Sequence, residues 1–182
     1  MQEGNYTAPQ DAAIGDTENG YTIVPEVEGN QLDRSTLLEA VKQAVSSGET
    51  ELNLSDSGCY LKPSVYQDDE ALNTRVNNLN QLVAANLTMD FGSGRTETVN
   101  GALLKTWVTQ DESGNDIIDS SKITEYVSSL ADKYNTVGKH TFRTTGGSTV
   151  TVNAGDYGWV MDEATTAQNL SNAIAAGTQG TF

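Results

Sequence analysis

Residues 32–48 read LDRSTLLEAVKQAVSSG and contain the start, face and stop signals of one amphipathic helix. Asp33 can accept hydrogen bonds from the free backbone N–H groups of the first turn, while Leu32 and Leu37 occupy the positions of a hydrophobic staple. Gly48 falls where a left-handed C-terminal cap is expected, so the helix should end just before it. Its apolar residues recur at helical spacing, at Leu37, Leu38, Val41, Ala44 and Val45.

The same signals recur later in the chain. Residues 118–134 read IDSSKITEYVSSLADKY, where Asp119 follows one isoleucine and precedes another by four positions. Apolar residues at spacings of three and four predict further helices over about 69–85 and 162–176. The sequence therefore predicts about four long helices.

Short segments with alternating apolar residues separate these helices and predict β-strands. The clearest are residues 21–24, 87–91, 95–99 and 142–152, the last interrupted by two adjacent glycines. We expect an α+β fold, in which about four helices pack on a mixed, mainly antiparallel sheet. The chain forms one or two lobes in this interpretation, with a division near residues 86–100.

The polar ends of the chain predict connecting segments. Residues 1–19 contain few hydrophobic side chains, so we expect a flexible leader or linker. The folded domain is then expected over residues 21–177, and residues 178–182 are interpreted as the start of a linker to a further domain.

The charge of the protein excludes some partners. Ten Lys and Arg residues oppose 25 Asp and Glu residues, giving a formal net charge of -15. Nucleic acid is therefore not an expected partner, because its phosphates would be repelled. No apolar run reaches the roughly 18 residues that span a bilayer, so we expect no direct membrane contact in this part of the chain.

Residues that commonly perform catalysis are sparse. His140 is the only histidine and Cys59 the only cysteine, so a catalytic dyad or a zinc site would depend on one of them. The acidic turn at residues 111–116 lacks the glycine and glutamate spacing of a calcium loop. We therefore predict no catalytic residue, no metal site and no cofactor.

Aromatic residues are the best candidates for ligand binding. Tyr157 and Trp159 lie two positions apart on a predicted strand, so they would share one face. Two such rings could stack on a sugar, and Tyr60 adds a third ring of the same type. The alternative, which the large apolar area of the indole favours, is that Trp159 is buried as a core anchor.

Several segments, taken in order, resemble the peptidoglycan-binding domain that precedes YkuD-type L,D-transpeptidase domains and is also found in VanW-type proteins. The matching segments are residues 21–33, 37–48, Tyr60 with Pro63, 103–107, 119–136, 142–146 and 155–159. This resemblance covers about residues 21–177.

The resemblance implies an extracellular cell-envelope protein of a Gram-positive bacterium, anchored in the membrane by an upstream segment. It also implies a downstream transpeptidase domain with a Ser-His-Gly-Cys motif, which this chain lacks. The expected function is that of a non-catalytic accessory domain that binds or positions peptidoglycan for cross-linking. Its expected partners are peptidoglycan and that catalytic domain, and the candidate ligand residues are Tyr157, Trp159, Tyr60 and Arg143.

Two other functions stay open from the sequence. A structural spacer without a ligand would bury its aromatic residues. A wall hydrolase would need a polar cleft around His140 or Cys59, and it is the less favoured of the two.

Overall fold

The computed structural model describes residues 6–138, 140–152 and 158–182, and it shows the α+β fold that the sequence predicts. The helices are α1 (Arg34–Ser47), α2 (Glu70–Leu82), α3 (Gly101–Lys105), α4 (Ser120–Tyr134) and α5 (Glu163–Ala175). The strands are β1 (Ala13–Asp16), β2 (Tyr21–Val24), β3 (Asn86–Asp90), β4 (Thr96–Val99), β5 (Val108–Gln110), β6 (Asp116–Ile118), β7 (His140–Arg143), β8 (Thr149–Val152) and β9 (Gln179–Thr181).

The helix caps form as the sequence predicts. Asp33 accepts a hydrogen bond from the backbone N–H of Ser35 at 2.9 Å, and Asp119 accepts one from Ser121 at 2.8 Å. Gly48 adopts φ 75°, a left-handed conformation that costs a glycine little because it has no Cβ. These local interactions confirm the predicted boundaries of α1 and the start of α4.

The residue contacts divide the chain into two compact units. The first contains the residues up to Thr17 together with Tyr21–Asn77, and the second contains Glu18–Gly20 with Asn78–Phe182. The division falls inside α2, whereas the sequence had suggested residues 86–100.

The N-terminal segment belongs to the first unit and is not a free leader. Strand β1 pairs antiparallel with β2, with Ile14 opposite Ile23. The Ala12 N–H also donates to the carbonyl of Val65 at 2.9 Å. The prediction of a flexible leader is therefore wrong for residues 10–16, because their backbone groups find partners in distant parts of the unit.

Helix α1 buries less of its apolar face than its sequence suggests. Ala44 is buried, but Leu38 is 54% exposed and Val45 is 74% exposed. The spacing of the apolar residues correctly predicts the helix. It does not predict which of these residues are buried in the core.

The largest sheet lies in the second unit and has the strand order β4-β3-β9. Strands β3 and β4 form the predicted antiparallel hairpin. Strand β9 lies parallel to β3, and the Phe182 N–H donates to the Thr88 carbonyl at 2.9 Å. The interpretation of residues 178–182 as a linker is therefore wrong, since they supply an edge strand.

The core of the second unit takes its side chains from this sheet and from α3, α4 and α5. Its fully buried large side chains are Leu87, Val99, Leu104, Val127 and Leu170. No helix within the described ranges is both long and apolar enough to cross a membrane.

Replacing Leu170 with alanine is expected to lower the free energy of unfolding by about 2–5 kcal/mol, because it leaves a cavity at a fully buried position. Leu38→Ala, the same change on an exposed helical face, should cost within about 0.5 kcal/mol. Urea unfolding followed by circular dichroism measures both. Equal losses for the two variants would contradict this description of the core.

Candidate functional site

Trp159 is the most exposed of the large hydrophobic residues in the described ranges, at 82%. The favoured expectation that it anchors the core is therefore wrong. Its backbone joins the fold instead: the Trp159 N–H donates to Thr136 Oγ1 at 2.8 Å, and its carbonyl accepts from the Thr136 N–H at 2.9 Å. The main chain is fixed by these hydrogen bonds, while the ring remains in contact with solvent.

A cleft of about 520 Å³ lies beside this ring. Three segments of the second unit form its walls: the turn that follows β3, at residues 90–95; the C-terminal end of α4, at residues 134–136; and the approach to α5, at residues 159–161. Its volume lies within the roughly 300–1,000 Å³ of typical ligand sites.

Hydrogen bonds hold the second and third walls together. Besides the pair between Thr136 and Trp159, Asn135 Oδ1 accepts from the Met161 N–H at 2.7 Å. Gly158 makes this approach possible, since a Cβ placed there would lie 2.7 Å from the Thr136 carbonyl carbon and oxygen. The position of Trp159 therefore depends on a glycine one residue before it.

The other two walls each contribute an aromatic ring. The rings of Phe91 and Tyr134 stack with centroids 3.9 Å apart and planes inclined by 10°. The guanidinium carbon of Arg95 lies 5.7 Å from the centre of the Tyr134 ring, within the range of a cation–π contact. Arg95 Nη2 also donates to the Phe91 carbonyl at 2.9 Å, which fixes the cation at the turn.

Glu97 holds the Tyr134 side chain in place through a hydrogen bond. Lys133 Nζ and Tyr134 Oη both donate to Glu97 Oε1 at 2.6 Å. The hydrogen bond from Lys133, followed by that from Tyr134, holds the pKa of Glu97 below its ordinary range. The same hydrogen bond raises the pKa of Lys133, as expected for an ion pair.

The other predicted ligand residues do not contribute to the described walls of this cleft. Tyr60 is half-buried in the first unit, where it forms a β-bridge with Leu32. Arg143 is exposed on β7. Tyr157 lies outside the described residues, so the predicted pairing of Tyr157 with Trp159 stays a prediction.

The sequence did not identify Phe91, Tyr134 or Arg95 as site residues. Tyr134 is the last residue of the segment 118–134 that was predicted as a helix, and Phe91 is the last residue of the predicted strand 87–91. The Gly92-Ser93-Gly94 turn between Phe91 and Arg95 was the available signal, because such turns place flanking side chains at the surface.

Residues that could have supported catalysis are placed as follows. Cys59 is completely buried, so its thiol is shielded from any substrate. His140 begins β7. Among the residues that the structure describes, no three His, Cys, Asp or Glu side chains lie close enough together to hold a metal ion.

Comparison with known families identifies the class of domain. Residues 67–182 match the family described as "Putative peptidoglycan binding domain", and the chain belongs to this family. The match contains all of the second unit after its Glu18–Gly20 segment. Residues 21–66, to which we had extended the resemblance, lie outside it.

Two solved structures are similar to the chain. One is the avibactam carbamoyl enzyme of Ldtfm, with 26% sequence identity and a TM-score of 0.46 over 60% of this chain and 44% of that chain. The other is a cysteine-to-serine mutant of the Enterococcus faecium L,D-transpeptidase, with 26% identity and a TM-score of 0.45 over 63% and 44%. This chain thus matches less than half the length of either structure. No curated protein matches it significantly.

Gly158→Ala is expected to destabilise the second unit and displace Trp159, because the new methyl group would collide with the Thr136 carbonyl. Gly147→Ala is the matched control: Gly147 also has a positive φ, of 82°, but a Cβ there meets nothing within 4 Å. The control should lose only the roughly 1–2 kcal/mol of left-handed backbone strain. Urea unfolding and hydrogen exchange of the Trp159 amide measure the difference, and equal effects would contradict the proposed close approach.

Glu97→Gln is expected to reduce the sensitivity of the protein to acid. A folded-state pKa below the unfolded value stabilises the fold above about pH 4.3, and this stabilisation is lost as pH falls through the folded-state pKa. Unfolding measured from pH 6 to pH 3 should therefore show a smaller loss for the variant than for the native chain. Glu112→Gln, in the turn between β5 and β6, controls for the removal of one negative charge. The same pH dependence in the native and Glu97→Gln proteins would show that the ion pair between Glu97 and Lys133 does not stabilise the fold.

Proposed function

We propose that this chain is a non-catalytic accessory domain of a cell-wall L,D-transpeptidase, and that it holds the glycan of peptidoglycan for cross-linking. One observation carries the proposal: Trp159 is 82% exposed and lines an aromatic cleft of about 520 Å³. Membership of the peptidoglycan-binding family supports it.

The chemistry of the cleft suits a sugar ring. The flat apolar face of an exposed aromatic ring can cover the C–H face of a pyranose. Ser93 and Asn135 are among its lining residues and add a hydroxyl and an amide group. The combination of an apolar platform and a few polar groups is typical of small-ligand sites.

The proposed setting is outside the cell, in the envelope of a Gram-positive bacterium. A segment before this region would anchor the protein in the membrane, and a catalytic domain in the same chain would form the cross-links. The strongly acidic composition is consistent with a protein that stays soluble outside the cell and does not bind polyanions.

The alternatives have less support. A structural spacer predicts buried aromatic residues, and the exposure of Trp159 argues against this. A wall hydrolase that used Cys59 as its nucleophile would need an accessible thiol, whereas this one is completely buried. We therefore propose that the chain itself is not an enzyme.

Sedimentation with purified peptidoglycan sacculi, freed of teichoic acid, tests the proposal. We expect the native chain to sediment with the sacculi and Trp159→Ala to lose most of this binding. The variant should remain folded, because the side chain is mostly exposed and its backbone hydrogen bonds are kept. Circular dichroism checks the fold.

Tyr6→Ala is the matched control, since Tyr6 is also exposed, at 68%, but belongs to the first unit. It should bind like the native chain. Failure of the native chain to sediment would reject autonomous wall binding. Binding that survives in Trp159→Ala would instead reject the aromatic platform.

A further inference from the structure

A second groove runs along the junction of α4 and α5. It consists of two cavities of about 470 and 520 Å³, which share Ser120, Ile123 and Ser171 in their walls. The first extends toward the C-terminal end of α2, and the second toward the start of α5. The two cavities therefore adjoin at these shared residues, and we treat them together as one groove.

The groove follows the whole of α5. Residues of this helix line it from Glu163 to Ala175, a length of about 18 Å at about 1.5 Å per residue. An extended peptide rises about 3.3 Å per residue, so the groove has room for about five residues. Its length therefore suits a short peptide.

The lining of the groove is also suited to a peptide backbone. Ile123 and Ile174 are buried and form an apolar floor. Hydroxyl and amide side chains line the walls and can donate to carbonyls and accept from N–H groups. They are Asn78, Gln81, Ser120, Thr124, Gln168 and Ser171.

The charge of the lining selects for a cation. Asp116 lines the first cavity and Glu163 lines the second. No lysine or arginine is among the residues that line either cavity. Asp116 already accepts a hydrogen bond from Gln110 Nε2 at 3.1 Å, so Glu163 is the more suitable acceptor for a ligand. A primary ammonium group on the peptide would complement this carboxylate.

We propose that this groove binds the short peptide of peptidoglycan, with the ammonium group of its diamino acid against Glu163. The proposal rests on the function proposed above and extends it: the glycan contacts the Trp159 cleft, and the peptide lies between α4 and α5. The two surfaces together would bind both components of the wall.

The test uses a soluble five-residue peptide that contains lysine, with an acetylated N-terminus and an amidated C-terminus, so that its only charge is the lysine ammonium. Titration into the isotope-labelled chain should shift the backbone NMR signals of α5 and of the start of α4. The same peptide with an acetylated lysine side chain should bind more weakly.

Three variants give the side-chain evidence. Glu163→Gln should weaken peptide binding by about two- to fivefold, the usual range for an exposed ion pair. Glu70→Gln is the matched control, because Glu70 is the acidic residue in the first turn of α2 as Glu163 is in α5. Gln168→Glu replaces an amide in the groove with a carboxylate of the same size and should tighten peptide binding. Partial unfolding of a variant would weaken binding, so it could not explain this gain.

Signal shifts elsewhere, no binding, or equal affinities for the native chain and Glu163→Gln would overturn the groove proposal. The sacculus experiment separates this failure from failure of the proposed function. Sedimentation that depends on Trp159, without peptide binding, would reject the groove and keep the glycan site. Peptide binding in the groove without sedimentation would reject wall binding by the isolated domain. It would still support the groove as a binding site for an amine-bearing peptide.

Discussion

The packing of α4 against α5 is the constraint on which both candidate surfaces depend. Four residues of α4 are buried, Ile123, Val127, Leu130 and Ala131, and they fix the helix against the core. Its N-terminal end then forms a wall of the groove along α5, and its C-terminal end forms a wall of the aromatic cleft. One buried helical face therefore sets the positions of both surfaces.

Local interactions made much of this fold predictable from the sequence. Asp33, Asp119 and Asp162 each accept a backbone N–H within the first turn of a helix, so a few neighbouring residues determine where each helix starts. Strand β9 could not be predicted in the same way. Its sequence is only three residues long, and its partner β3 lies about 90 residues earlier, so only the tertiary fold determines the pairing.

The candidate site could be predicted only in part, because its residues come from distant parts of the sequence. Trp159 was recognised as a candidate ligand residue from its spacing, but its exposure depends on hydrogen bonds to Thr136, 23 positions away. The stack of Phe91 on Tyr134 joins a strand end to a helix end, and neither segment shows the contact by itself. Residue types thus indicate which side chains could bind, whereas long-range contacts decide which of them reach the surface together.

The parallel pairing of β9 with β3 has a mechanical consequence. Tension between α2, which precedes β3, and Phe182, which follows β9, would pull these two strands in opposite directions along their length. The hydrogen bonds between them would then be loaded simultaneously, whereas the β3–β4 hairpin could open one pair at a time from its free end. A domain that lies in a stretched polymer network would gain resistance to unfolding from this edge strand.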